Sequence, residues 1–317
     1  MEQLILTVIN LNYAITALQV SKVQGGWSAQ AYKLSSVHGD YFLKVYDKSK
    51  YTVQEWIKAI DNYMPVVLWL YENTKLRKAM VAPIMTINGS YKLETDEYVF
   101  VVYPFIQGKT IAEEKLSQQQ QVELAEIIAN LHMCTDSIPC FKKLEKEDFA
   151  TNFCDRLLSL IDVAENNKSL LKVWREYKNA IGENIAEVKS LAQALSVAKL
   201  NFVLCHTDLH GWNLLQAERL LLLDWEGLKL APAEADLFAF SQGFFFAYAW
   251  DRVLEVYQGI NKNFSLNADC LAFYRKRRRL EDIYDFASSI LYDGLSEKET
   301  NISLQYLVKE CSLLKRH

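Results

Sequence analysis

Short runs rich in Val, Ile, Tyr and Phe recur through the first hundred residues, at 18–23, 31–34, 41–46, 81–86 and 98–103. Turn residues separate them, among them Gly25-Gly26, His38-Gly39-Asp40 and Asn88-Gly89. Runs of this kind, punctuated in this way, predict the strands of an antiparallel sheet. Between the third and fourth runs, residues 53–76 predict a helical insert, with Pro65 suited to the first position of its second half. After Pro104 the texture changes. Residues 117–132 place Leu124, Ile127, Ile128 and Leu131 at helical spacing behind a Ser117/Gln120 capping box. No proline falls between Pro139 and Pro232, and 155–199 predicts two or more long helices. A short strand pair is expected at 202–205 and 220–224, followed by helices to the C-terminus. The pattern contains no internal repeat. It predicts an α+β chain with a small sheet lobe over 1–103, a connector near 103–108 and a mainly helical lobe over 104–317.

Composition narrows the class. A chain of 317 residues, half of them hydrophobic, can bury a sizeable core and is not of disordered type. The formal net charge of −4 argues against a dedicated nucleic-acid binder and mildly favours a cationic or neutral small-molecule partner. Six cysteines (Cys134, Cys140, Cys154, Cys205, Cys270 and Cys311) are scattered without a Cys-x-x-Cys pair. They are expected to be small apolar residues of a reducing compartment. Met1-Glu2-Gln3 lacks the positive start of a signal peptide, and the aromatic-rich run 238–250 is too short to span a bilayer. A cytoplasmic protein with no membrane partner is expected.

The chemistry concentrates in His206-Thr207-Asp208-Leu209-His210-Gly211-Trp212-Asn213, followed by Asp224 at the end of Leu220–Leu223. A carboxylate that orients and deprotonates a hydroxyl, with an Asn/Asp pair that holds magnesium on nucleotide phosphates, is what phosphoryl transfer needs. The order His-x-Asp-x-x-x-x-Asn and then Asp matches the kinase catalytic loop and metal segment. Asp208 is therefore the candidate base, weighed against an ordinary turn aspartate. Asn213 and Asp224 offer the hard oxygen ligands magnesium prefers. His206 is expected to tie the loop backbone in place. For His210 two readings stay open, a face toward substrate or a brace for the loop.

Lys44 lies among aromatic residues in Tyr41-Phe42-Leu43-Lys44-Val45-Tyr46. Burying a lysine there is costly unless it meets anions, and nucleotide phosphates would supply them. The acid that orients it is open between Glu55, Asp61 and Glu72, and Asp61 would equally serve as a helix cap ahead of Pro65. In the first turn, Gly25 and Gly26 permit close backbone approach to phosphates and Ser28 adds a hydroxyl, where the plain alternative is a hairpin turn. No Gly-Lys-Ser/Thr loop is present, which excludes the P-loop class. The run 101–108 leaves the sheet as an extended connector. There the Pro104 carbonyl and the Ile106 N–H suit an adenine base. Asp236 is expected to cap its helix or brace the catalytic loop. Asp282, Asp285 and Asp293 fall near one helical face. With Tyr248, Trp250 and Asp251 they would wall a pocket for a cationic ring system, against the alternative of a solvated charged face.

The blocks 203–215 and 223–226, with Ala231-Pro232 and Asp236 behind them, resemble the aminoglycoside phosphotransferase family. The order of blocks from Tyr41 through Asp236 is most similar to its spectinomycin phosphotransferase branch. The resemblance implies a two-lobed protein-kinase-like fold. It also implies ATP or another nucleoside triphosphate, Mg2+, and transfer to a small-molecule hydroxyl such as that of an aminoglycoside or aminocyclitol antibiotic. It assigns Asp208 as base, Asn213 and Asp224 as metal ligands, Lys44 as the phosphate lysine, and Pro104 and Ile106 as adenine contacts. Two departures stand out. No acid has decisive spacing to Lys44, and Asp224 is followed by Trp225-Glu226 rather than Phe-Gly, which argues against a protein kinase. Choline, homoserine and methylthioribose kinases share the core, so a metabolic kinase and a non-catalytic kinase-like binding protein remain the alternatives.

Overall fold

The computed structural model describes residues 1–23, 29–112, 114–139, 144–163, 167–241 and 250–315, without the side chains of Tyr51, Thr52 and Glu55. It begins with α1 (Glu2–Asn12), β1 (Ala17–Val23), β2 (Gln30–Ser36), β3 (Gly39–Asp47), α2 (Tyr51–Asn73), β4 (Leu93–Glu94) and β5 (Tyr98–Pro104). Next come β6 (Lys109–Thr110), α3 (Gln118–Met133), α4 (Asn152–Val163), α5 (Lys168–Ser196), β7 (Phe202–Cys205), β8 (Leu214–Gln216) and β9 (Leu220–Leu222). The last elements are β10 (Lys229–Pro232), α6 (Glu234–Ser241), α7 (Trp250–Ile260), α8 (Ala268–Tyr292) and α9 (Glu297–Leu314). No helix among the described residues is long and apolar enough to cross a membrane.

The chain packs as two compact units, each discontinuous in sequence. The first holds Met1–Glu145, Val203–Leu230 and Gly243–Asn263, and the second holds Lys146–Phe202, Ala231–Gln242 and Phe264–His317. Both sides of the connector expected near 103–108 thus lie in the first unit.

In the first unit an antiparallel sheet runs in the order β1-β2-β3-β5-β4. Helix α1 lays Ile5 and Ile9 into one core with Leu34, Leu43, Val45, Phe100 and Val102. Strand alternation then decides the site, because with Leu43 and Val45 in that core, Lys44 and Tyr46 take the opposite face. The register sets Lys44 opposite Val101. A three-stranded sheet of order β6-β8-β9 carries the link after the connector onto the residues around Asn213 and Leu222. Helix α7 packs on α3, where Asn261 Nδ2 donates to the Ala129 carbonyl at 3.1 Å and the Tyr257 hydroxyl meets His132 Nδ1 at 2.6 Å. In the second unit α4, α5, α6 and α9 all pack on α8.

Several expectations need correction. Residues 81–86 form no strand, since Pro83 has no N–H to enter a ladder. Ile84 donates to the Val102 carbonyl at 2.7 Å and Thr86 to the Ser90 carbonyl at 2.8 Å, and the fifth place in the sheet goes to Leu93–Glu94. Helix α2 runs through Pro65 without dividing there, and Asp61 sits in its middle rather than at a cap. The segments at 202–205 and 220–224 do not pair with each other. Strand β7 pairs with β10, and β9 pairs with β8 and ends at Leu222. Helix α1 was not expected at all. The Ser117/Gln120 capping box is formed in full at the start of α3.

Candidate active site

A single imidazole organises the loop. The Asp208 N–H donates to His206 Nδ1 at 3.3 Å, so the ring proton sits on Nε2, which donates to the Leu223 carbonyl at 3.0 Å. His206 is fully buried and meets Trp225 edge-on at 4.9 Å between ring centroids. It thereby fixes the peptide of Asp208 against the residue that precedes Asp224. The Thr207 hydroxyl adds a second tie, donating to the Gly227 carbonyl at 2.8 Å. A Cβ on Gly227 would lie 2.7 Å from that hydroxyl, which is why the two segments approach only with glycine there. Thr207 and Asp224 both take left-handed backbone, at φ 67° and 59°, and each therefore carries strain that the surrounding bonds must hold.

The Asp208 side chain is 36 % exposed and so open to solvent. Asn213 Nδ2 donates to its Oδ2 and to its backbone carbonyl, each at 3.0 Å, and His210 Nε2 lies 3.3 Å from the same Oδ2. With its amide nitrogen committed in this way, Asn213 offers Oδ1 as its acceptor. His210 is thus tied to the Asp208 carboxylate, while its Nδ1 is buried and makes no hydrogen bond.

Lys44 Nζ contacts Asp224 Oδ1 at 2.9 Å and Glu226 Oε1 at 2.6 Å. Burial favours the neutral amine, but the two carboxylates outweigh it and hold the ammonium well above its ordinary pKa. Of the three helix acids weighed for this lysine, Asp61 instead binds the Lys92 ammonium and the Tyr91 hydroxyl, each at 2.8 Å. Glu72 is exposed, and the Glu55 side chain lies outside the description. Glu226 was not anticipated, although its signal was present as a second acid two positions after Asp224. Asn213 Oδ1, Asp224 and Glu226 are oxygen donors of the hard type that suits Mg2+.

The remaining candidates are more dispersed. Gly25, Gly26 and Ser28 lie outside the described residues, as does Tyr248. Pro104 closes β5 opposite Tyr41, and Ile106 follows half-buried in the extended link to β6. Asp251 is exposed in the first turn of α7. In the second unit Asp236 is buried in the first turn of α6. There too, Asp282 takes Arg278 Nε at 3.0 Å along α8.

Burial pushes the carboxyls of Asp282 and Asp285 up to about 6, with Arg278 opposing it. Asp285 is nevertheless exposed, so solvent screens part of that effect. A carboxyl raised in the fold favours folding most below its unfolded pKa and loses that contribution as pH rises through 6. Asp285→Asn is therefore expected to raise the unfolding midpoint at pH 8 by on the order of 1–2 °C. The gain should disappear near pH 4, and thermal melts across that range check it.

A kinase-like small-molecule phosphotransferase is the class that this fold and site define. The model of the phosphotransferase enzyme family (APH) matches residues 19–266, and the chain belongs to that family. It is similar to a spectinomycin phosphotransferase in complex with ADP and spectinomycin, at 19 % identity and TM-score 0.78, over 100 % of this chain and 99 % of that one. A microcompartment-associated aminopropanol kinase matches at 14 % identity and TM-score 0.64, over 99 % and 97 %. A choline kinase from Streptococcus pneumoniae matches at 19 % identity and TM-score 0.61, over 98 % of each chain. At such identities the likeness is one of fold. No curated protein matches the sequence.

Proposed function

We propose that the chain moves the γ-phosphate of ATP, or of another nucleoside triphosphate, to a hydroxyl of a small molecule of the aminoglycoside or aminocyclitol class. The observation that carries this reading is the His206 ring, which binds the peptide of Asp208 with one nitrogen and that of Leu223 with the other. Base and phosphate segment are thereby fixed to each other. Asp208 accepts a hydrogen bond from the acceptor hydroxyl and takes its proton as the oxygen attacks phosphorus. Asn213 holds the Asp208 carboxylate in place. Lys44 turns its charge to the phosphates. Asn213 Oδ1, Asp224 and Glu226 would hold Mg2+, whose charge offsets that of the phosphate oxygens. Pro104 and Ile106 meet the base of the nucleotide, and Gly25, Gly26 and Ser28 are assigned to its phosphates. His210, Asp251, Asp282 and Asp285 are assigned to the acceptor.

Thermal unfolding with and without ATP and Mg2+ gives the first test, since a ligand that binds only the folded state raises the midpoint. A panel of aminoglycosides, spectinomycin, choline, homoserine, methylthioribose and aminopropanol, scored by ADP release, then decides the acceptor. Turnover on an amino alcohol well above that on every antibiotic would replace the antibiotic reading with a metabolic one. Stabilisation without turnover would favour the binding protein. With a cationic acceptor, Asp282→Asn is expected to raise the acceptor KM by about 10-fold and leave the ATP KM unchanged, as for a lost ground-state contact.

A further inference from the structure

Strand β3 contributes two polar groups to one face. One is Lys44; the other is Tyr46, which is fully buried and donates its hydroxyl to Glu226 Oε1. That same oxygen receives Lys44 Nζ at 2.6 Å, and the Glu226 side chain is only 8 % exposed. A second phenol lies close by. Tyr63, on α2 and 3 % exposed, has its hydroxyl beside that of Tyr46. Burial, reinforced by the Glu226 charge, holds the Tyr46 phenol well above its ordinary pKa, so it remains an O–H donor.

A buried carboxylate whose partner is one ammonium closes into a tight ion pair, and a lysine so held is withdrawn from other anions. A second donor on the same oxygen takes up part of its charge and fixes where that oxygen lies. We propose that Tyr46 is a positioning residue for phosphate binding: its hydroxyl sets the Glu226 carboxylate, and Glu226 in turn sets Lys44. The lysine then takes its orienting acid from the segment that carries Asp224, rather than from Asp61 or Glu72 of α2. This inference rests on the reading of Lys44 as the phosphate-binding lysine.

Calorimetric titration with the Mg2+ complex of a non-hydrolysable ATP analogue, and separately with adenosine, tests it without an acceptor. Tyr46→Phe removes one oxygen and keeps the ring. It should weaken the analogue by about 10-fold, the scale of one hydrogen bond to a charged group, and leave adenosine unchanged. Tyr63→Phe removes a hydroxyl from the same surroundings that bonds to neither Glu226 nor Lys44, and should alter neither ligand. In a Glu226→Gln background, Tyr46→Phe should add little, because the two act in series. Wild-type affinity in Tyr46→Phe, equal weakening of adenosine, or full additivity with Glu226→Gln would each overturn the proposal. If Glu226→Gln does not fold, the two phenylalanine variants still decide. Wild-type protein that binds neither ligand overturns the nucleotide reading itself, a result distinct from any of these.

Discussion

Asp208→Asn is expected to lower turnover by about 10²–10⁴-fold, the range for a lost general base. The fold should survive the change. An amide oxygen at the Oδ2 position still accepts from Asn213 Nδ2, now at 3.0 Å, and the backbone ties through His206 and Thr207 do not involve the side chain. The variant should therefore keep its thermal midpoint and the further stabilisation by ATP and Mg2+, while ADP release on the best acceptor of the panel collapses. That combination separates a base from a binding residue, because only chemistry is lost. Turnover close to wild type would remove Asp208 from the mechanism, and loss of nucleotide stabilisation would make its role structural.

What the sequence made legible was local. The Ser117/Gln120 box is formed as read, because a cap depends on residues three apart. The spacing of His206, Asp208 and Asn213 was legible for the same reason, since the loop closes on itself within eight residues. Glu226 was passed over because its partner, Lys44, stands 182 positions away, and spacing along the chain says nothing of such a pair. Among the acids nearer Lys44 in sequence, Asp61 binds Lys92 and Tyr91 instead. Residues 81–86 had strand composition, but Pro83 removes the donor that a ladder needs. In α1, Ile5 and Ile9 stand one turn apart and mark an apolar face, a short helical signal that the strand-like runs behind it obscure. The side of β3 that carries Lys44 and Tyr46 follows from alternation once Leu43 and Val45 are known to be core, and that knowledge came only with the packing of α1.

Gly211→Ala is expected to disable the site through the backbone alone. A Cβ at Gly211 would stand 1.9 Å from the Ala112 carbonyl oxygen and 2.9 Å from its carbon. Both are main-chain atoms, so no side chain can swing aside. The contact is also one the fold uses, because the Ala112 N–H donates to the Gly211 carbonyl at 2.9 Å, and Ala112 itself holds φ 54°. Relief must come from moving the turn at Gly211–Asn213 or the link after β6. Either movement shifts Asn213, and with it the brace on Asp208. Overpacking of this kind costs about 1–3 kcal/mol, and a displacement of about 1 Å near reacting atoms costs about 10²-fold in rate. Gly182 supplies the opposite case. It lies inside α5, and a Cβ there would meet nothing within 4 Å. Gly182→Ala should therefore stabilise by about 0.5–1 kcal/mol, the helix cost of glycine, with turnover unchanged. Paired melts and ADP-release rates read both substitutions. A Gly211→Ala protein as stable and active as wild type would mean that the loop does not depend on this close approach.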